Sequence, residues 1–467
     1  MTWRKIKNHE EILAAGDIEA KKIALEITDK TLQRMDAGDR IKSIMRLEGD
    51  WLHVGTESWD LSQKKNIYMI GAGKACNHMA MAVDEILGDR LTRGFAIVKI
   101  AEETDYYRNT EVFIGGHPLP NEEGLRACKI ILDVVDKATA DDLFITLMSG
   151  GSSALMACPI PGLTLEDEQV TTDILLKSGA NIMEINAIRR HISQTNGGNL
   201  AKRIAATGAD MIGFSIFDVV GYPRTGDIGI PYPNLTGTPI GVDDTTLDDA
   251  RRVIRQYDIA DKLPAAVVDY LMNCGPEGET PKAFPQFTYF GLNSVSDSCY
   301  IAQEIAEEMG LRALVLSTFI EGESRDVGTI MASIAREIQN YGNPVSAPCV
   351  VISSGEATTK ISHNSLIKGH GGPGQEMTVS FAISAVDAPG ACLLSIDTEG
   401  TDGSTLIAGG ITDSKTYGRA QARGIDFHAA LRHHSCYEAL MPVGGGVFTG
   451  NTGTNVCDFN IMYVPKL

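Results

Sequence analysis

The chain has 467 residues, 43% of them hydrophobic and 22% charged, which is the composition of an ordinary globular protein long enough for two or three domains. A formal charge of -19 argues against a nucleic-acid or anionic-membrane partner, since both require clustered cations. Nine cysteines lie scattered with no C-x-x-C pair, the pattern of reduced thiols rather than of a disulfide framework or zinc site. The first residues carry no apolar signal core and no stretch approaches a membrane span, so the expectation is a soluble, cytoplasmic protein.

Residues 9–36 space Ile12, Ile18, Ile23, Ile27 and Leu32 for one long helix with a buried face, expected on the edge of a sheet. A strand from Asn66 ends in the turn Gly71-Ala72-Gly73-Lys74, followed by a helix from Ala75 to Leu87. This turn lacks the spacing of a Walker A loop, and Cys76 stands where a dinucleotide fingerprint needs its third glycine. It does place Lys74 at the C-terminal end of a strand, where open α/β sheets bind ligands. Strands at Gly94–Ile100 and Glu111–Gly115 come next, the second running into the turn that holds His117, and Asn121 opens a helix through Asp136.

The apolar run Leu143 to Met148 is a buried strand ending in Ser149-Gly150-Gly151-Ser152-Ser153. Glycines allow close backbone approach, and a following helix would aim free N–H groups at an anion. Leu163–Ser178 reads as a helix with Thr164 as N-cap and Asp167 as its capping-box partner. In the next helix Asn186, Arg189 or Arg190 and Ser193 share one side, while Ile185, Ile188 and Ile192 share the buried one. Arginine suits bidentate capture of carboxylate or phosphate, so this stripe fits an anion site. The strand Met211–Phe217 ends at Asp218, positioned as a magnesium ligand. Strands alternating with helices through residue 260 imply a parallel sheet covered by helices on both faces.

The proline- and glycine-rich segment 273–286 reads as a linker, and Phe287–Leu292 as the first strand of a second domain. Beyond it, strand ends carry Ser354-Gly355-Glu356 and Thr398-Glu399-Gly400-Thr401-Asp402, a glycine-rich turn leads into Gln375 and Glu376, and a final loop carries Asn455.

Taken together, GAGKA, GGHPLPNE, SGGSSAL, NAIRRHIS, GLNS, EGESRD, SSGE, GHGG with QE, EGTDG and TGNTGTNV, in this order, resemble the MOFRL-type glycerate 2-kinase family, some of whose members carry the label hydroxypyruvate reductase. The resemblance implies a two-domain α/β fold: a Rossmann-like parallel sheet with helices on both faces over 1–280, a smaller MOFRL α/β domain over 281–467, and a cleft between them. It implies ATP and Mg2+ as cofactors and a small hydroxy acid as substrate, phosphorylated on a hydroxyl; a homodimer stands open. Lys74, Arg189 and Asp218 are then the candidate catalytic residues. Ser149, Gly150, Gly151, Ser152, Asn186, His117, Glu356, Gln375 and Asn455 would bind substrate or phosphate, and Asp218 and Asp402 would hold the metal. Where the family usually has GRGGRNQE and IKGG, this chain has Pro373, Gly374 and Asn196. Those exchanges predict a preference for an acid longer than D-glycerate, with His370, His433 and His434 meeting its extra hydroxyls. The rival readings are a nicotinamide-dependent reductase, disfavoured by the incomplete glycine fingerprint, and a ligand-binding homologue without chemistry.

Overall fold

The structure, a computed structural model, describes residues 3–103, 105–233, 235, 237–284, 287–361 and 366–467. The chain divides into two compact units, Ala37–Ile216 with Gly226–Leu292, and Met1–Asp36 with Phe217–Thr225 and Asn293–Leu467.

In the first of these units, β1 (Met45–Glu48), β2 (Trp51–Val54) and β3 (Glu57–Asp60) make a small antiparallel sheet. The main sheet is built from β4 (Asn66–Ala72), β5 (Arg93–Val98), β6 (Thr110–Ile114), β7 (Asp142–Met148), β8 (Asp210–Phe217) and β9 (Thr288–Ser294). Their spatial order is β6-β5-β4-β7-β8-β9, and every pair from β6 to β8 is parallel. Every residue of β7 is buried, as a strand covered on both faces requires. Helices Cys76–Leu87 and Glu122–Asp136 are the crossovers that pack on this sheet. Asn121 caps the second, and Thr164 with Asp167 forms the capping box of helix Leu165–Ser178, both as expected. From β4 the chain winds outward through β5 and β6, then returns to lay β7 on the other side of β4. The C-terminal ends of β4 and β7 therefore flank a topological switch point, where open α/β sheets take their ligands.

Two expectations change in this unit. Phe287–Leu292 falls largely within β9, which closes the first sheet instead of opening a second domain. Nor is 273–286 a linker: the Glu279 carboxylate lies 3.0 Å from His191 Nε2 and accepts from the Leu247 N–H at 3.1 Å, and the Thr280 hydroxyl donates to Asp243 at 2.9 Å. Its prolines and glycines shape turns that side chains then pin to the unit; residues 285 and 286 lie outside the described residues.

The other unit holds β10 (Arg312–Glu323), β11 (Cys349–Thr358), β12 (Cys392–Asp397), β13 (Gly409–Asp413), β14 (Gly446–Val447) and β15 (Asp458–Val464). They run in the order β10-β11-β15-β12-β13-β14, with β10 parallel to β11 and the remaining pairs antiparallel. Period-two alternation assigns the two faces. Val350, Ile352, Leu394, Ile396 and Ile461 pack with helices Ile18–Arg34 and Val295–Glu308. Val351, Leu393 and Met462 pack with helices Ser324–Tyr341 and Pro373–Ser384.

The helix expected over 9–36 is two helices, His9–Ile12 and Ile18–Arg34, and the second lies on the face of this sheet rather than on an edge. The break falls at Gly16, which adopts φ +93° with the Asp413 carboxylate where a side chain would stand. Asp413 also accepts from the Asp17 N–H at 2.9 Å and pairs with the buried Lys21 at 3.5 Å and Arg419 at 3.2 Å. The first 36 residues thus belong with the C-terminal sheet, and the expected division at 280 becomes one at 292. Among the described residues no helix is long and apolar enough to cross a membrane.

Candidate active site

At the switch point, the loops after β4, β6 and β7 meet. The Lys74 N–H donates to the Gly150 carbonyl at 2.9 Å, and the Ala75 N–H to Ser149 Oγ at 3.1 Å, so the lysine turn is tied to the serine loop from both sides. Gly151 adopts φ +85°; a Cβ there would lie 3.1 Å from His117 Cδ2 and 3.3 Å from Lys74 Cγ. The structure therefore brings Lys74, His117, Ser149, Gly150, Gly151 and Ser152 together. The helix expected after the serine loop is a single turn, Ser152–Leu155. The Ser149 N–H donates to the Ala72 carbonyl and the Ser152 N–H to the Ser149 carbonyl, and among the described residues no backbone partner outside helices and strands is found for the N–H groups of Gly150, Gly151 and Ser153.

Asn186 and Arg189 lie on helix Ile182–His191, whose Ile185 and Ile188 are buried as the spacing predicts. Ser193 falls beyond its end, in a bridge to Pro159. The two arginines separate cleanly. Arg190 is structural, pairing with Asp243 at 2.7 Å and Asp244 at 2.9 Å. Arg189 buries Nε and Nη2 with no hydrogen-bond partner among the described residues. The chain that follows braces the serine loop: Asn196 Nδ2 donates to the Ser153 carbonyl at 3.0 Å, and the Thr195 hydroxyl to the Met156 carbonyl at 2.5 Å. Asn196 is thus a support of the loop.

In the unit of the C-terminal sheet, Asp218 receives Asn455 Nδ2 at 3.4 Å on its carboxylate and the Cys457 thiol at 2.9 Å on its carbonyl. Around Cys457 gather Asp218, Glu356, Asp397 and Asp458, whose charges add to burial in driving its thiol far above the ordinary range. Asp397 and Asp458 are cross-strand partners on β12 and β15. Burial, then Asp397 and Asp402, hold the Asp458 carboxyl well above the usual carboxylate range. Neither aspartate stood out in the sequence, although an acidic residue at the end of an apolar strand, as in Leu394-Ser395-Ile396-Asp397, is the signal that could have found Asp397.

Asp402 and Gln375 are joined to one another. The Asp402 carboxylate is 1% exposed and accepts from the Gln375 N–H at 2.9 Å, Gln375 Nε2 at 3.0 Å and the Gly374 N–H at 3.3 Å. It anchors the start of helix Pro373–Ser384, where Pro373 occupies a first-turn position that needs no N–H donor. Burial pushes its carboxyl up to about 6. Asp402 thus anchors the helix start, and a metal there would share its carboxylate with three donors already in place. Of the histidines expected to meet substrate hydroxyls, His370 pairs with Glu438 at 2.9 Å and His434 with Glu376 at 2.7 Å, while His433 lends its backbone carbonyl to the Lys368 N–H at 3.0 Å.

Residues 23–272 match the family described as "Domain of unknown function (DUF4147)", and residues 349–458 match the MOFRL family. The chain is 36% identical over 453 residues to "Glycerate 2-kinase" of Pyrococcus horikoshii, spanning 96% of this chain and 98% of that protein. It is 31% identical over 444 residues to "D-glycerate 2-kinase" of Thermotoga maritima, spanning 94% and 97%. A crystal structure of glycerate kinase from Thermotoga maritima shares the fold with a TM-score of 0.77 at 30% identity, covering 95% of this chain and 99% of that one.

Proposed function

Because this chain belongs to the glycerate 2-kinase family, as its identity to a glycerate 2-kinase along nearly its whole length shows, we propose that it transfers a phosphoryl group from ATP to a hydroxyl of a small hydroxy acid of the D-glycerate type. The observation that carries this reading is the near-complete match to a protein named glycerate 2-kinase, at 36% identity.

The chemistry follows from the loops. Phosphoryl transfer asks an enzyme mainly for positioning and for neutralising charge on the moving group. Lys74 supplies a cation at the switch point, and the tie between its N–H and Gly150 sets it beside the serine–glycine amides. Those amides and the ammonium stabilise charge on phosphoryl oxygens. Arg189, with two buried donors unpaired, holds a carboxylate or phosphate.

The oxygen donors around Asp218 suit magnesium, which binds through one or two carboxylates and fills its shell with phosphate oxygens and water. Among the described residues no three His, Cys, Asp or Glu side chains form a metal-ligand group. Asp218 would hold the ion through its carboxylate, and the ion when bound would offset phosphate charge. Nine free cysteines, seven of them buried, support a reducing, cytoplasmic location.

The relatives named glycerate 2-kinase and D-glycerate 2-kinase make D-glycerate the leading substrate. The test is ADP release across three- to six-carbon hydroxy acids with MgATP. D-glycerate is expected to give the highest kcat/KM; release with none of them would overturn the reading.

A further inference from the structure

The loop that carries Asn455 joins β14 to β15 without regular structure of its own. It bends at Gly450 and Gly453, whose φ angles of +67° and +78° favour glycine. Its order comes from groups brought to it within the same unit. Thr452 is fully buried and donates its hydroxyl to the Thr398 carbonyl. Asn293 Nδ2, equally buried, donates to Thr454 Oγ1 at 3.2 Å and to the Met35 carbonyl at 2.8 Å.

The third attachment carries a charge. The Lys5 ammonium donates to the Thr452 carbonyl at 2.8 Å and pairs with Asp36 at 2.6 Å, both side chains being mostly buried. Asp29, on helix Ile18–Arg34, sets the lysine in place. Its buried carboxylate accepts from the N–H groups of Lys5 at 2.7 Å and Ile6 at 2.9 Å. The Lys7 N–H then donates to the Phe448 carbonyl at 2.8 Å, and Asn8 bonds to Gly446 and Phe448 at 2.9 Å. Residues 5–8 thus run beside the start of the loop and grip its middle with an ammonium. Such a charge-assisted bond is stronger than a neutral one, and at low exposure salt screens it little.

Three residues beyond Thr452 the loop delivers Asn455, which is 3% exposed and whose Nδ2 donates to the Asp218 carboxylate at 3.4 Å. A partner that orients a ligating carboxylate contributes to metal affinity although it never meets the ion. We propose that Lys5 is a positioning residue for the magnesium carboxylate: by holding the Thr452 carbonyl against Asp36, it fixes the turn that sets Asn455 on Asp218. The inference rests on the reading of Asp218 as the magnesium ligand. Without the ammonium the Thr452 carbonyl loses its charged donor, and the loop regains freedom at its two glycines.

The experiment is a magnesium titration of ADP release from ATP with D-glycerate, with a thermal melt of each protein. It compares the wild-type full chain with Lys5→Met, Lys5→Arg, Asn455→Ala, Asp218→Asn and the double variant Lys5→Met/Asn455→Ala. Asn455→Ala is expected to raise the magnesium concentration for half-maximal activity by about tenfold, and Lys5→Met by about three- to tenfold. For Lys5→Met, kcat at saturating magnesium should stay within about twofold of wild type, because added ion makes up for the weaker site. Lys5→Arg keeps a donor and a charge and should stay near wild type. The double variant should match Asn455→Ala within about twofold, since the lysine acts through that residue, whereas a general loosening of the fold would multiply the two effects.

An unchanged requirement in Lys5→Met, beside a raised one in Asp218→Asn, overturns the role of Lys5 alone. Effects that multiply in the double variant, or a Lys5→Arg as impaired as Lys5→Met, overturn it as well. An unchanged requirement in Asp218→Asn instead overturns the reading of Asp218, and the inference with it. Should Lys5→Met fail to fold, Lys5→Gln takes its place: it lacks the charge that pairs with Asp36, so it should show the raised requirement, and a wild-type requirement there overturns the proposal.

Discussion

Gly151 stands with its α-carbon against the side chain of Lys74: a methyl group at that position would sit 3.3 Å from Lys74 Cγ and 3.1 Å from His117 Cδ2. The contact makes the glycine a spacer between the serine loop and the cation. Its φ of +85° adds a backbone cost of about 1–2 kcal/mol for any residue with a side chain. Gly151→Ala is therefore expected to lower kcat/KM by about tenfold or more through displacement of Lys74, whereas the backbone cost alone moves Tm by only ~2–8 °C. Steady-state kinetics beside a thermal melt checks this, and an unaltered kcat/KM would mean that the loop does not position the lysine.

Lys74→Met should abolish most of the phosphoryl transfer and leave the melt unchanged. A cation that stabilises charge developing in the transition state contributes roughly 3–4 kcal/mol, or about 100- to 1000-fold in kcat. A variant that keeps more than about a tenth of the wild-type rate would assign the lysine to the surface.

The readability of these loops in the sequence has a physical cause. At β4 and β7 an apolar run stops at glycines, so both the strand and the ligand-approach turn are written within ten residues. The capping boxes at Thr164 and Asn121's cap are equally local. What local pattern could not show is which distant residue receives a side chain. Asp402 sits in a loop whose composition suits a metal, but its partners Gly374 and Gln375 come from a helix start 27 or 28 positions away. Gly16 looks like a tolerated glycine within a helix until Asp413, nearly 400 residues on, occupies its side-chain space. β9 reads as a fresh start because a buried strand carries no mark of the sheet that it joins. Glu168, 1% exposed on helix Leu165–Ser178, drew no notice because an acidic residue in a capped first turn is what any helix shows.

Asp402 and Asp218 make opposite predictions. Asp402→Ala would strand the Gln375 and Gly374 donors in a buried site, at about 1–3 kcal/mol for each unmade hydrogen bond. Its melt should fall clearly, with the magnesium concentration for half-maximal activity unchanged in whatever folds. Asp218→Asn should do the reverse, keeping the melt and raising the magnesium requirement. A magnesium titration of both variants decides, and a shifted requirement in Asp402→Ala with a normal melt would restore that residue as a ligand.

The burial of Glu168 also predicts how stability varies with pH in the ligand-free chain. Its folded-state carboxyl lies at about 7, above the ordinary 4.5 that the unfolded chain shows. Between those values the folded state binds more protons than the unfolded state, so this group's contribution falls as pH rises from 4.5 and levels off above 7. The loss amounts to about 3 kcal/mol at most, one pH unit of displacement being worth 1.36 kcal/mol. Glutamine mimics the protonated acid and cannot ionise, so Glu168→Gln should match the wild type in urea melts near pH 5 and exceed it by ~2–3 kcal/mol at pH 8.5. Loss of the attraction to Arg189 works against that gain, but burial is the larger influence on the carboxyl and sets the sign. Melts of both proteins at the two pH values are the measurement. A difference that stays constant with pH would show that Glu168 ionises as freely folded as unfolded, and that the buried atoms around Arg189 are solvated after all.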